Sequence, residues 1–168
     1  MQIKIILLFC ILPALLFSQP CGKIEFIYKF GPPEAKVKNE LRTAENIFIK
    51  DMLVDSPLVI KLKLTRKEKK LILNKLNEMD FWSYPEKYLF EAAHKDSLKG
   101  MPSIYTIYSL RVLYCGKEKQ VRWDDFSRGR PSAGLKYERL EALGDLIWKI
   151  IFSKKAYKKS RQPRAMYL

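Results

Sequence analysis

The sequence is poor in the residues that most often carry enzyme chemistry. It contains one histidine, His94, and three cysteines among 168 residues. No Walker-type glycine loop, no His-Glu-x-x-His, no Cys-x-x-Cys and no Gly-x-Ser-x-Gly motif occurs in it. A single histidine cannot build a multi-histidine zinc site. The sequence therefore favours a protein that has no cofactor and no catalytic centre.

Acidic residues are also scarce relative to basic ones. The 18 Asp and Glu residues stand against 32 Lys and Arg, which gives a formal net charge of +14 with the histidine neutral. Hydrophobic residues make up 48% of the chain, which is too many for an intrinsically disordered protein. Glycine and proline, at 7 and 9, exclude a collagen-like chain. At this length a single folded domain with its own core is expected.

The N-terminal segment has the pattern of a secretory signal peptide. Lys4 precedes an apolar run over residues 5–17, which is shorter than the roughly 20 residues of a transmembrane helix. Ser18 suits the position before the cleavage site, and cleavage after Gln19 is an alternative. A buried N-terminal helix or strand is the competing interpretation. We expect a chain exported to the periplasm or the extracellular space, with no transmembrane span after processing.

This segment divides the chain into a signal peptide over 1–18, a single α+β domain over 19–152 and a basic C-terminal tail over 153–168. A lipid anchor on Cys21 is disfavoured, because Pro20 occupies the position where a lipobox has a small residue. Removal of Cys10 with the signal leaves Cys21 and Cys115 as an even pair in an oxidising compartment. A bridge between them would contribute about 4 kcal/mol in the chain-entropy model. Two free thiols are the alternative.

Hydrophobic periodicity predicts an α+β fold. Residues 24–30 alternate between apolar and other side chains, as in a strand with one buried face, and further strands are expected over 46–53, 58–64, 103–114 and 119–124. Thr65 and Glu68 form a capping box that should open a helix over about 66–79. A second amphipathic helix is expected over about 135–152. The order β-β-β-α-β-β-α predicts an antiparallel sheet of about five strands with both helices on one face.

Short motifs spread over residues 24–168 carry a resemblance. They are Ile47-Phe48-Ile49-Lys50-Asp51-Met52 before a turn with Pro57, Leu62-Lys63-Leu64-Thr65, Trp123-Asp124, a leucine-rich final helix, Lys155 with Tyr157-Lys158, and Tyr167-Leu168. Together they resemble a family of uncharacterised bacterial secreted proteins and lipoproteins. Members of that family often end in Gly-Gly-Tyr-Leu, where this chain has Ala165-Met166 before Tyr167. The resemblance implies export and a single domain, and it brings no activity with it.

Basic side chains provide the candidate contacts with an anionic or protein partner. They lie in the loop before the last helix and in the C-terminal tail: Arg128, Arg130, Lys154, Lys155, Lys158, Lys159, Arg161 and Arg164. Clusters of this kind attract anionic partners, and export argues against nucleic acid among them. The tail also contains Tyr157 and the apolar residues 166–168, so it is either a contact surface or a segment docked on the sheet.

Three functions remain open at this point. The first is a non-enzymatic module that binds a protein partner as an inhibitor or adaptor. The second is a binder of anionic envelope surfaces that acts through the basic tail. The third is an enzyme that uses Asp124, Asp125 or His94, which is disfavoured because adjacent strand residues point to opposite faces.

The signal peptide gives the first testable prediction. Intact-mass analysis of the exported protein should give a chain that begins near Gln19, because export normally removes such a segment. An exported chain that keeps Met1 would contradict this prediction.

Overall fold

The computed structural model describes residues 23–33, 35, 38–89, 105–125 and 134–164. These residues form a mixed sheet of seven strands and three helices. The strands are β1 (Glu25–Gly31), β2 (Asn39–Arg42), β3 (Ile47–Lys50), β4 (Leu58–Lys61), β5 (Lys87–Tyr88), β6 (Ile107–Tyr114) and β7 (Lys117–Asp124). The helices are α1 (Arg66–Glu78), α2 (Gly134–Ser153) and α3 (Lys155–Lys158), and Phe81–Ser83 forms a 3-10 turn.

The strands lie side by side in the order β4-β3-β2-β1-β6-β7-β5. Every neighbouring pair is antiparallel except β5 and β7, which run parallel. The predicted α+β class is confirmed. The prediction of about five strands in a purely antiparallel sheet is wrong in detail, as is the number of helices.

The two strands that were not predicted carry almost no periodic signal. β2 has the sequence Asn-Glu-Leu-Arg, in which Leu41 is the one apolar residue, and it is a strand because it pairs with β1 and β3 on either side. β5 has two residues and pairs only with β7. Turns also shorten a predicted strand: Asn46 and Leu53, at φ 55° and 62°, flank β3. Strands β2 and β5 therefore form because they pair with strands that are distant in sequence, and not because of their own local pattern.

The β6–β7 hairpin turns on two residues instead of the four that were expected. Tyr114 pairs with Lys117, and Cys115 and Gly116 between them have φ 52° and 72°. Positive φ at both central residues is the mark of a type I′ turn, whose twist matches that of the flanking strands. Lys117 and Glu118 therefore belong to β7.

The start of α1 is the capping box that the sequence predicts. The Thr65 hydroxyl accepts a hydrogen bond from the Glu68 N–H at 3.2 Å, and the Glu68 carboxylate accepts one from the Thr65 N–H at 2.7 Å. Two N–H groups that the helix cannot satisfy internally thus find acceptors. The helix accordingly begins at Arg66.

The core lies between one face of the sheet and helices α1 and α2. Alternate residues of β1 point into it, and α1 and α2 supply their apolar stripes. Its members include Phe26, Tyr28, Phe30, Leu41, Phe48, Leu110, Val112, Val121, Trp123, Ile72, Leu76, Leu140, Leu143 and Ile147. The residues of β1, β6 and β7 on the opposite face are mostly half-buried or exposed, and Asp124 at the end of β7 is a buried exception.

Helix α2 lies against the middle of the sheet at Gly144. A methyl group added at Gly144 would lie 3.2 Å from the Tyr28 hydroxyl oxygen and 3.6 Å from the Trp123 ring. Both aromatic side chains are fully buried, and their ring centroids are 6.2 Å apart. A larger residue would therefore have to displace packed rings or the helix.

The second prediction concerns this contact. Helix propensity alone would favour Gly144→Val and disfavour Ala142→Val, since valine ranks between alanine and glycine. Crowding against Tyr28 and Trp123 should reverse that order, so that Gly144→Val lowers the free energy of unfolding by about 1–3 kcal/mol. Ala142 is exposed on the same helix and is the matched control. Urea denaturation of both variants measures the difference, and a Gly144→Val protein as stable as the wild type would contradict the close packing.

Candidate functional site

The C-terminal segment up to residue 164 is docked on the end of the sheet near β3. The Lys50 side chain, of which 3% is exposed, donates hydrogen bonds to the Arg161 carbonyl at 2.9 Å and to the Gln162 side-chain oxygen at 2.8 Å. Its ammonium also lies 4.8 Å from the centroid of the Tyr157 ring. Burial lowers the pKa of Lys50 from its ordinary value. This geometry corresponds to the docked alternative for the tail.

Tyr157 is the apolar anchor of this segment. Its ring meets Phe48 edge-on at 5.7 Å and Phe152 at 4.9 Å, measured between centroids. Each such edge-to-face pair stabilises the folded state by about 0.5–1.5 kcal/mol in addition to the free energy gained from the apolar area that it buries. Short helix α3 thus closes over the β3 side of the core.

Ion pairs within the molecule engage half of the basic residues proposed for the tail. Lys154 contacts Glu68 at 2.7 Å, and Arg161 and Arg164 contact Asp55 at 3.2 Å and 3.7 Å. Burial would raise the pKa of Glu68, but its hydrogen bonds with Lys154 and Thr65 outweigh burial and lower it. These cations are therefore already partly neutralised.

The remaining basic candidates differ in position. Lys155, Lys158 and Lys159 are exposed and have no ion pair in the described part of the chain. Arg128 and Arg130 lie outside the described residues, as do Met166, Tyr167 and Leu168. The tail therefore offers three unpaired lysines to solvent within its described part.

The acidic residues considered for catalysis are not gathered into a reaction centre. The Asp125 carboxylate accepts hydrogen bonds from the Thr106 N–H at 2.6 Å and the Tyr108 hydroxyl at 3.2 Å, which tie the end of β7 to β6. Asp124 is fully buried, and its backbone carbonyl accepts a hydrogen bond from the Tyr137 hydroxyl. His94 lies outside the described residues. Among the described residues, no group of three or more His, Cys, Asp or Glu could hold a metal ion.

Cys115 lies on the exposed β6–β7 turn. Its predicted partner, Cys21, lies outside the described residues, so the Cys21–Cys115 pairing stays a prediction.

The face of the sheet that α1 and α2 leave uncovered forms a broad surface that was not predicted from the sequence. We call it the open face. One row across it consists of Val59, Ile49, Glu40, Lys29, Ser109, Arg122 and Lys87 on successive strands, and the next consists of Lys61, Ile47, Arg42, Ile27, Arg111 and Gln120. Cationic and aliphatic side chains alternate along the second row from Lys61 to Arg111, whereas the first row is aliphatic at β3 and β4 and mostly charged from β2 to β5.

A cavity of about 310 Å³ lies in the centre of the open face, over β1, β6 and β7, and we call it the central groove. Its lining contains four cationic residues and no acidic one, together with two isoleucines, one serine and one glutamine. These residues are Lys29, Lys38, Arg111, Arg122, Ile27, Ile107, Ser109 and Gln120. The groove is thus a concave surface of one charge sign with an aliphatic floor.

Acidic neighbours outside the groove hold two of its cations. Lys29 contacts Glu40 at 3.3 Å, and Arg111 forms a two-pronged pair with Glu118 at 2.8 Å and 2.9 Å. Burial would raise the pKa of Glu40, but the hydrogen bond from Arg42 and the charge of Lys29 outweigh it and lower that pKa.

Arg122 differs from these two residues. It is half-buried in β7, and its guanidinium has no ion pair or side-chain hydrogen bond with the described residues. The Lys38 ammonium donates to the Pro32 carbonyl at 2.6 Å at one end of the groove. Arg122 is therefore a cation of the groove that has no acidic partner in the described part of the chain.

No family model, no curated protein and no solved structure matches the chain. Within the described residues, none of the helices combines the length and apolar character needed to span a bilayer.

The docked tail gives the third prediction. Lys50→Met keeps an apolar stem of similar length but removes the ammonium that bonds the Arg161 carbonyl and Gln162. We expect it to lower the free energy of unfolding by about 1–3 kcal/mol, because hydrogen bonds from a charged donor are lost. Trypsin should also cleave faster after Lys158 and Lys159. Lys61→Met, at an exposed position of β4, is the control, and equal behaviour of the two variants would argue against docking through Lys50.

Proposed function

We propose that the protein is an exported, non-enzymatic module that binds a protein partner through the open face, in the manner of an inhibitor or adaptor. The observation that carries the proposal is a broad sheet face that presents both half-exposed aliphatic and charged side chains. Protein interfaces combine apolar area with polar and charged groups, among which arginine is enriched.

The aliphatic residues of the open face support this proposal. Val59 is 61% exposed and Leu113 is 43% exposed, and Ile27, Ile47 and Ile49 are half-buried. An antiparallel sheet that only faces water usually carries polar residues on that side. Apolar residues spread across β1, β3, β4 and β6 instead provide area that a partner could remove from water.

Export is part of the proposal and is supported by two features of the chain. The first is the signal-peptide pattern over residues 1–18. The second is the even pair of cysteines, Cys21 and Cys115, that remains when the signal is removed, because disulfides persist in oxidising compartments outside the cytosol. Periplasm and extracellular space are both compatible with them.

The tail-based alternative has less support. Three of its six cationic candidates are engaged in ion pairs with Glu68 and Asp55. The exposed charge that it still offers is confined to Lys155, Lys158 and Lys159. We therefore place the contact surface on the sheet and keep anionic membranes as an outcome that experiments can detect.

The fourth prediction tests the use of the open face. Ser109 lies near its centre, and Ser109→Trp adds a large side chain there that a strand readily accommodates. Asn74→Trp introduces the same side chain at an exposed position of α1 and is the matched control. Each variant is immobilised and exposed to an envelope extract of the producing cells, and the retained proteins are quantified by mass spectrometry.

We expect the wild type and Asn74→Trp to retain the same partner and Ser109→Trp to lose it by more than tenfold, since the bulky ring prevents close contact. Equal melting temperatures of the two variants would show that the fold is intact. Retention of the same proteins by all three would refute the open face as the contact surface. Retention of nothing, by any of them, would refute the adaptor-like role in this extract.

A further inference from the structure

We infer that the central groove binds the carboxylates of an extended acidic segment of the partner protein. The inference rests on the proposed function and adds the chemistry of the partner. Four cationic residues and no acidic residue line the groove, and Arg122 among them has no ion pair with the described residues. A carboxylate that enters the groove would meet a planar guanidinium, which binds carboxylates through two parallel hydrogen bonds.

The spacing of the cations suits an extended chain. Lys29 and Arg122 lie in one row of the sheet with Ser109 between them, so their Cα atoms are about 10 Å apart at the usual strand separation. Arg111 lies one strand over and two residues along from both Lys29 and Arg122, so its Cα is about 8–9 Å from theirs. Alternate side chains of an extended segment repeat at about 7 Å, and the long cationic side chains can span the difference. Two acidic side chains on one side of such a segment could therefore contact two of these cations at once.

The floor of the groove favours a polypeptide over a phosphate-rich surface. Ile27 and Ile107 line the groove beside the cations, and further aliphatic side chains lie on the same face at Leu113 and, beyond β2, at Ile47 and Ile49. Phosphate groups gain nothing from aliphatic neighbours, whereas a segment with mixed acidic and apolar side chains can bury the apolar ones there. The combination of charge and floor is therefore complementary to an acidic, partly apolar peptide.

A second copy of this chain does not fit the groove as well. The formal net charge is +14, so two copies repel one another when they approach. The acids next to the groove, the buried Glu40 and the exposed Glu118, are already held by cations of their own sheet. An acidic partner instead gains from the charge of the whole molecule during association.

The test uses a fluorescein-labelled peptide in which Glu and Val alternate, and it measures binding to the processed, oxidised protein by fluorescence anisotropy. Arg122→Gln should weaken binding about tenfold, because a charge-assisted hydrogen-bond pair is lost. Lys159→Gln removes one charge from an exposed site away from the groove and should change binding less than twofold. Arg122→Lys should fall between Arg122→Gln and the wild type, since it keeps the charge but not the fork.

Three further measurements separate the sources of binding. A peptide with the same Glu and Val content arranged in two blocks should bind several times more weakly, since its acids cannot alternate with apolar groups. Inorganic phosphate should compete poorly, and vesicles that contain phosphatidylglycerol should bind the wild type and Arg122→Gln equally. Vesicle binding that falls with Arg122→Gln, or strong competition by phosphate, would identify a phosphate site and overturn the inference. Equal peptide affinities of Arg122→Gln and Lys159→Gln would also overturn it.

This result and the test of the proposed function can fail separately. If Ser109→Trp abolishes partner capture while Arg122→Gln leaves both partner and peptide binding intact, the open face is the contact surface but the acidic-segment chemistry is wrong. If the peptide depends on Arg122 while Ser109→Trp still captures the partner, the groove binds acidic peptides but the partner does not use the open face.

Discussion

The close packing of α2 on the centre of the sheet at Gly144 determines which surface this protein presents. Because Gly144 has no side chain, the helix can approach Tyr28 and Trp123 closely, and its apolar stripe is buried there. Helix α1 packs against α2 on the same side of the sheet. Both long helices described are thus committed to one face, and the opposite face of β1, β6 and β7 is left half-exposed. The open face is a consequence of this one-sided packing.

The basic residues of the chain serve two different purposes. In the C-terminal segment, Lys154, Arg161 and Arg164 pair with Glu68 and Asp55, and they attach the segment to the domain. Pairs on the surface contribute little individually, at about 0–1 kcal/mol each. The buried Lys50 and the half-buried Tyr157 ring hold the segment more firmly, because their contacts are partly shielded from water. A high density of basic residues in sequence is therefore a poor guide to where the unneutralised charge lies.

Local patterns in the sequence predicted those elements whose stability is decided locally. The alternation in residues 24–30 and the Thr65–Glu68 capping box predicted β1 and the start of α1, because both signals depend on residues within a few positions. Strand β2 could not be predicted, since its pairing with β1 and β3 determines its conformation. The central groove was missed for the same reason: Lys29 is far in sequence from Arg111 and Arg122, and each alone looks like an ordinary solvent-facing residue.

The distribution of charge around the groove distinguishes its cations from cations that are simply exposed to solvent. A cation that is well exposed needs no ion pair, so the unpaired state of Lys159 carries no information. In a concave site, however, neighbouring cations repel one another more strongly, because fewer water molecules solvate them. Glu40 and Glu118 relieve this repulsion for Lys29 and Arg111, whereas no described residue does so for Arg122. An anionic group that binds beside Arg122 relieves the repulsion between Arg122 and the other cations of the groove. The exposed lysines of the tail have no such repulsion to relieve, so an anion gains more affinity in the groove than at the tail.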